Sequence, residues 1–474
     1  MNTPTAYGHD LRNDPTLVRA SFAHASRIPF WLDDAPAGLA HRTVRGDVET
    51  DLVIIGGGYC GLWSAVIAKE RDPQRRVVLL EASRVGQAAS GRNGGFCEAS
   101  LTHGPANGEL HFPRERDVID TLAIENFEAM EATIRRYDLD VEWERQPVLL
   151  VATEPHQLAE MESGAALTGE TVLRGESLKR VGNSPLYRAG VLGEEHSAFV
   201  HPAKLARALA QLAARLGVEI YENSPARALN RRDGGVDVHT SGGIVRTAHA
   251  ILATNGFPSL LRRLRLFTVP IYDYVLMTEP LTAEQLAAIG WTGRHGITDA
   301  GREFHYYRKT RDNRILFGGY DAVYHRGGRI RAAQDQRPET FERLADHFFS
   351  TFPQLADIRF THKWGGMIDM STQLVAFHGT TRDRRIAYSA GYTGLGVAAT
   401  RFGAETMLDL VEGRDTARTR LKMAKRLPIP IPPEPFAYPL IQLMRNAVAR
   451  SDRNGGKDGL LLKLAGLFKI GFDS

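Results

Sequence analysis

Asp51-Leu52-Val53-Ile54-Ile55-Gly56-Gly57-Gly58-Tyr59-Cys60-Gly61 decides how this chain folds. Its first five residues form a short apolar run, the pattern of a strand buried on both faces of a parallel sheet. Glycines follow, and a helical pattern runs from Leu62 to Glu70. A second apolar run, Val77-Val78-Leu79-Leu80, ends at Glu81, 25 positions after Gly56. Strand, turn, helix and strand within about 30 residues is the size of a dinucleotide-binding unit. A pyrophosphate at a helix N-terminus needs backbone N–H groups aimed at it and no side chain in the way. Gly56 permits the tight turn, Gly58 lets the backbone approach, and Gly61 allows the helix to pack on the strand. Glu81 falls where a carboxylate can accept ribose hydroxyls, and Tyr59, Cys60 and Ala82 flank these positions. A glycine-rich turn beside a surface glutamate would share the letters, but not the strand before it and the helix after it.

Outward from this unit the pattern repeats in separated pieces. Ala88-Ala89-Ser90-Gly91-Arg92-Asn93-Gly94-Gly95-Phe96 offers small residues, donors and a Gly-Gly pair, which suits a second close approach to an extended cofactor. Arg92 is its cation, and Asn93 tolerates left-handed backbone. Residues 250–253 run into Thr254-Asn255-Gly256, and residues 386–390 run into Gly391-Tyr392-Thr393-Gly394-Leu395-Gly396, with a helical pattern over 397–411. Between them, residues 306–310 and 314–317 alternate around Arg311-Asp312-Asn313 and predict an antiparallel hairpin. The expected class is α/β (α+β). A Rossmann-like layer (45–100, 195–260 and 365–425) is built from discontinuous segments, and an antiparallel substrate layer (101–194 and 261–364) is inserted between them. Residues 1–44 read as an N-terminal arm and 426–474 as a helical tail beyond the boundary at Pro428 to Pro435.

Composition closes off other classes. The 474 residues are 43% hydrophobic and 24% charged, which excludes disordered, fibrous and disulfide-dense chains. A net charge of +4 gives no reason to expect nucleic acid, although residues 401–474 hold 13 Lys/Arg against 8 Asp/Glu. Cys60 and Cys97 are the only cysteines, so no disulfide framework or multi-cysteine metal site can form. The N-terminus lacks a signal-peptide pattern, and no apolar run reaches the roughly 20 residues of a membrane span. A cytoplasmic chain without an integral membrane segment is expected. There is no G-x-S-x-G, no H-E-x-x-H and no histidine cluster with ligand spacing, so no metal is expected.

The fingerprint, the Ser90–Gly95 loop and the Gly391–Val397 turn together resemble the D-amino-acid oxidase superfamily of FAD-dependent oxidoreductases, over roughly Asp47 to Gly413. The loop is most similar to that of the γ-glutamylputrescine branch. The resemblance implies that Gly56, Gly58 and Gly61 hold the FAD pyrophosphate and Glu81 the adenosine ribose. It also implies that Ser90, Gly91, Arg92, Asn93, Gly94, Gly95 and Phe96 run along the diphosphate toward the flavin. Ala226, after a strand at 218–221, resembles the position whose backbone meets the adenine. Thr254, Asn255 and Gly256 resemble a turn beside the adenosine half, Asn255 departing mildly from the family pattern. Gly391, Tyr392, Thr393, Gly394, Leu395, Gly396 and Val397 lead into a helix. Its positive end would face the flavin N1–C2 edge and stabilise the anion formed on hydride arrival.

The flavin would then carry the difficult chemistry, non-covalently bound, with hydride passing from a carbon bearing a neutral amine to N5 and the imine hydrolysing afterwards. Oxygen or another acceptor would reoxidise it. The alternating stretch Phe304-His305-Tyr306-Tyr307-Arg308 is the candidate substrate wall. Aromatic faces there can hold an amine, and Arg302 or Arg308 can hold a carboxylate; half-buried sheet packing would read the same way, as it would for Tyr272 and Tyr274. A polyamine-like or N-alkyl amine fits as well as an amino acid. Lys363 is a candidate cation for oxygen activation, and His103 a candidate neighbour of the flavin. His201 marks a chain crossing between layers. Three other readings stay open: a peripheral membrane dehydrogenase passing electrons to quinone, a flavin-binding subunit without turnover, and a plain NAD dehydrogenase. The first draws on the basic C-terminus and the run from Leu460 to Ile470, where Lys463 and Lys469 do not share a polar face. Oligomeric state is not encoded legibly.

Overall fold

Val48–Ile55 is the axis of the first sheet, flanked in parallel by Val77–Leu80 on one side and Ile244–Leu252 on the other. The computed structural model describes residues 5–8, 10–193 and 196–467. Sheet order is 228–232, 235–239, 244–252, 48–55, 77–80 and 219–221, with 386–390 joined to 244–252 and 377–380 joined to 386–390. The apolar run is buried on both faces because helices cover one side: Tyr59–Arg71 packs between Pro202–Arg215 and Gly396–Val411. The expected strand at 250–253 is only the end of Ile244–Leu252. That strand pairs antiparallel with Gly235–His239 at its start and parallel with Ile386–Ala390 at its end.

The second sheet runs 323–324, 269–278, 315–319, 305–309, 296–299, 148–152, 189–192 and 172–173. It is antiparallel throughout except where Gly296–Asp299 lies parallel to Val148–Ala152. The hairpin forms as expected, His305–Lys309 against Ile315–Gly319. Phe360–Met370 pairs with the whole of Val269–Thr278, so the boundary expected at 365 falls inside one strand of this sheet. Gly365 and Gly366 are strand residues, and a β-carbon at Gly365 would sit 2.8 Å from the Tyr274 ring.

Residues 101–194 also divide differently from the expected domain. Arg116–Arg136 lays Ile119, Phe127 and Met130 into the core of the first layer, against Gly396–Val411. An amphipathic helix goes where an apolar surface needs covering, and chain order does not reveal where that is. Phe96–Glu98, Ser197–Phe199 and Glu144–Arg145 form a small sheet between the layers. The N-terminal arm lies on the second layer, with Phe30 and Trp31 packed among Val275, Leu316 and Trp364.

The tail is helical at Ala437–Arg453 and Leu460–Leu467. Leu462 and Ala465 are buried while Leu460 and Leu464 are exposed, and Phe468, Lys469 and Ile470 lie outside the described residues. No described helix is long and apolar enough to cross a membrane. The tail is tethered through Asp321, which accepts Arg445 at 2.6 Å and Thr340 at 2.7 Å and also pairs with Arg337 and Arg343. Burial pushes this carboxyl up, but Arg343, Arg445, Thr340 and Arg337 outweigh it and hold it below its ordinary value. Asp321→Ala leaves those cations facing an uncompensated pocket and is expected to cost about 3–5 kcal/mol. Because the folded carboxyl is the more acidic, its stabilisation is complete above the unfolded value of about 3.9 and is lost as pH falls through the folded one. Thermal melts across pH should show the native protein losing stability below pH about 4 more steeply than Asp321→Asn.

Candidate active site

The fingerprint turn is closed by backbone contacts that admit only glycine. Gly56, at φ +115°, would place a β-carbon 2.3 Å from the Ala253 carbonyl oxygen, and Gly61 would place one 1.9 Å from the Gly56 carbonyl oxygen. Gly58 is different: its nearest neighbour would be the Ser90 hydroxyl at 3.0 Å. That hydroxyl accepts the Tyr59 N–H at 2.9 Å, so the Ser90 loop is pinned to the start of the helix. Glu81 accepts the Gly57 N–H at 2.7 Å and the Ser83 N–H at 2.8 Å, and burial raises its pKa. Ser224 donates its backbone N–H to the Glu81 carbonyl, which brings the Ala226 segment alongside. Ala253 donates to Ile55 in the same way and carries Thr254-Asn255-Gly256 past Gly56, Asn255 taking φ +50°.

In the second loop the left-handed position is Gly95 (φ +76°), not Asn93. Asn93 works through its side chain instead, donating to the Ala89 and Ser90 carbonyls and accepting the Gly95 N–H. A β-carbon at Gly91 would meet the Gly86 carbonyl at 2.2 Å, and one at Gly94 would meet the Tyr306 ring at 2.7 Å. Arg92 is engaged within the protein. Its guanidinium pairs with Asp335 and donates to the Gln87 and Gly365 carbonyls, tying the loop to the second sheet.

The third segment is organised by a residue the sequence gave no reason to single out. Asp369 accepts the Gly391 N–H at 2.5 Å and the Tyr392 N–H at 3.1 Å, and its carbonyl accepts the Thr393 N–H at 3.2 Å. Burial pushes its carboxyl up to about 7 against the pull of these donors. The turn takes φ +80° at Gly391, +50° at Thr393 and +101° at Gly394, then enters Gly396–Val411, whose N-terminus has no side-chain cap. A β-carbon at Gly394 would meet nothing nearer than His103 at 3.7 Å, and one at Gly396 nothing nearer than 3.8 Å. The turn therefore borders open space. His103 stands beside it with a buried Nε2 that has no partner, and burial pushes its pKa down to about 4. Leu395 and Val397 complete the segment. Cys60 meets the Tyr392 hydroxyl at 3.1 Å, and Cys97 points into the core against Met130.

The candidate substrate wall divides by strand alternation. Tyr306 faces the loop: it packs on Gly94 and Phe96, and its hydroxyl donates to Asp273 at 2.5 Å. His305 and Tyr307 point to the other side, under Pro338–Thr351, and are not wall residues. His305 is fully buried between Asp299 (2.8 Å) and His347 (2.9 Å), and Tyr307 bonds Tyr187 at 2.5 Å. Tyr272 and Tyr274 belong to that same core. Arg308 shares the face of Tyr306 but donates to the Gly95 and Val200 carbonyls, and Arg302 bonds Ser451 and Asp458. Lys363 lies over the Phe22 ring and donates to the Phe22 carbonyl, away from the loop. Alternation set the faces; only the helix covering one of them decides which face is core. His201, before Pro202, caps the helix Pro202–Arg215 at the crossing between layers. With Asp34 and Glu142 it is the one described group of three metal-type donors, but Lys204 occupies it. Its backbone N–H enters His201 Nδ1 at 3.2 Å and its Nζ bonds Glu142 at 2.6 Å.

The segments are thus joined to one another, Ser90 to the Tyr59 N–H and Cys60 to the Tyr392 hydroxyl, and their residues fit FAD. Gly56 to Gly61 would hold the pyrophosphate, Glu81 the ribose, and the Ser90 loop with the Gly391 turn the remainder. Comparison with known proteins agrees. The family described as FAD dependent oxidoreductase (DAO) matches residues 51–410. The γ-glutamylputrescine oxidoreductase of Escherichia coli is 29% identical over 78% of this chain and 85% of its own. A probable oxidoreductase OrdL of Haemophilus influenzae is 25% identical over 81% and 86%. Among solved structures, glycine oxidase from Geobacillus kaustophilus superposes with a TM-score of 0.64 at 18% identity, covering 78% of this chain and 96% of that one. NikD, an amino acid oxidase of nikkomycin biosynthesis, gives 0.65 at 16%, covering 82% and 99%.

Asp369→Ala releases two buried N–H groups of the turn at a cost of about 3 kcal/mol. A lower flavin-to-protein absorbance ratio is expected after purification, with Asp369→Asn intermediate; full occupancy in both variants would show that the turn holds its shape unaided.

Proposed function

The chain belongs to the DAO family of FAD-dependent oxidoreductases, and from that premise we propose that it oxidises a carbon–nitrogen bond of a small amine or amino acid. The observation that carries this reading is the convergence on one cleft of the Gly94-Gly95 loop under Tyr306 and the Asp369-held turn before Gly396. FAD, when bound, supplies the acceptor for the hydride that leaves the substrate carbon.

The chain's own part is positioning and electrostatics. Tyr306 and Phe96, 5.7 Å apart between ring centres, wall the cleft and exclude water from it. The uncapped N-terminus of Gly396–Val411 offers N–H groups and a positive helix end to negative charge developing at its mouth. Asp369 fixes the direction of the preceding N–H groups. His103, uncharged at neutral pH, can donate a hydrogen bond there without adding a full charge. The nitrogen lone pair must be free to form the C=N bond as the hydride departs, so the reacting amine is bound neutral and its proton is lost to solvent. Water then converts the imine to a carbonyl compound and an amine. The two thiols, free and buried, fit a cytoplasmic setting, with oxygen or another acceptor closing the cycle.

The test is an anaerobic visible spectrum of the purified protein with pooled amines and amino acids. Flavin bands bleached by one pool are expected, at a rate that rises with pH through the pKa of the responsible amine. Flavin that no pool bleaches would overturn the amine reaction while leaving the fold intact. Admission of air afterwards identifies oxygen as the acceptor if colour returns.

A further inference from the structure

Asp273 is a carboxylate with no cation beside it. It lies on Val269–Thr278, in register with Gly366, on the face of the second sheet that meets the Ser90 loop. Its carboxylate accepts the Tyr306 hydroxyl at 2.5 Å and the Tyr274 N–H at 2.7 Å. Burial raises its pKa against these donors and the Gly319 N–H, the Asp321 carboxylate adds a smaller push in the same direction as burial, and among the described residues no basic side chain pairs with it. Gly318 leaves the room that holds Tyr306 in place: a β-carbon there would sit 2.9 Å from the Tyr306 hydroxyl. Asp273 is half-buried and desolvated by its surroundings.

A second carboxylate faces the same way. Phe96–Glu98 alternates, with Cys97 fully buried in the first core, so Phe96 and Glu98 share the opposite face. Phe96 packs edge-on against Tyr306, which puts Glu98 one step along the same wall. Glu98 has no hydrogen bond or ion pair among the described residues, and enclosure raises its pKa. Buried carboxylates are ordinarily paired with a cation. The arginines of this region are committed elsewhere, Arg308 to two carbonyls and Arg92 to Asp335. This wall thus presents carboxylates and aromatic faces and, among the described residues, no uncommitted guanidinium to receive a substrate carboxylate.

We propose that Asp273, with Tyr306 and Glu98, determines specificity by anchoring a second, non-reacting cationic nitrogen of the substrate. The chain therefore prefers amines that carry a second, cationic nitrogen over α-amino acids. The anchored nitrogen cannot be the reacting one, because a carboxylate beside that nitrogen would stabilise the ammonium form, which has no lone pair to expel hydride. Aromatic faces at Tyr306 and Phe96 add to the attraction. This inference deepens the amine-oxidising reading and rests on it.

The test measures binding apart from turnover. Native holoenzyme is titrated calorimetrically with 1,4-bis(trimethylammonio)butane, butyltrimethylammonium and 4-(trimethylammonio)butanoate, none of which carries a nitrogen lone pair to be oxidised. The dication and the monocation are each expected to bind at least about ten-fold more tightly than the zwitterion. Asp273→Asn should erase the ten-fold difference and Glu98→Gln should reduce it. Equal affinities for zwitterion and cations, a zwitterion that binds best, no binding by either cation, or a preference that survives in Asp273→Asn would overturn the proposal. If Asp273→Asn does not fold, the native order and Glu98→Gln decide. Failure here with an amine pool still bleaching the flavin removes the anchor alone. The expected order with no bleaching removes the reaction and leaves the cation site.

Discussion

A single buried guanidinium joins the two layers of this protein. Arg308 leaves the middle of the second sheet and donates to the Gly95 carbonyl at 3.1 Å and the Val200 carbonyl at 2.8 Å. Its cation lies 4.9 Å from the Phe199 ring and 5.2 Å from the Trp31 ring. Burial pushes its pKa down to about 10, which still leaves it charged at neutral pH. The glycine loop, the crossing into Pro202–Arg215 and the N-terminal arm all converge on this side chain. Hydrogen bonds from a charged donor to backbone carbonyls are about twice as strong as neutral ones in such a setting. Together with Arg92, which ties the same loop to the second sheet through Asp335 and the Gly365 carbonyl, this joint sets the distance between the loop and the Tyr306 face.

Carboxylates set the rest of the cleft, and their partners separate structure from function. Asp321 is surrounded by cations and fastens the C-terminal helix. Asp369 is surrounded by backbone N–H groups and shapes the turn before Gly396–Val411. Asp273 has the Tyr306 hydroxyl and the Tyr274 N–H but no cation among the described residues, and Glu98 has neither kind of partner there. Burial raises the pKa of Asp369, Asp273 and Glu98 alike. What distinguishes them is whether the protein itself supplies the compensating charge or dipoles. Where it does not, the compensation has to come from what enters the cleft.

Much of the first layer was legible. Apolar runs at 51–55 and 77–80 became parallel neighbours, and 386–390 joined the same sheet in parallel beyond 250–252, because a strand buried on both faces has no polar positions to spare. Two glycines of the fingerprint, Gly56 and Gly61, appear where carbonyl oxygens pass within 2.3 Å of the would-be β-carbon. The second layer was legible as a hairpin but not in its facing. Tyr306 and Tyr307 are chemically alike and adjacent, and one lines the cleft while the other is core. Which is which depends on Pro338–Thr351 covering one side, a contact between residues some 30 positions apart. Asp273 and Asp369 carry no motif at all, since a single aspartate in a strand signals nothing until its neighbours across the sheet are known.

The sequence by itself determined the nucleotide-binding unit, its three glycine-bearing segments and the family they belong to. Those features are local: a tight turn, a close approach and a buried strand each demand particular residue types within a few positions. Tertiary structure decided which charged groups are spent on holding the fold and which remain for a ligand. Arg308, Arg92 and Lys363 looked available until carbonyls, Asp335 and Phe22 were placed around them. Asp273 looked unremarkable until it was found without a cation. Charge pairing is a property of distance in space, and chain order does not encode it.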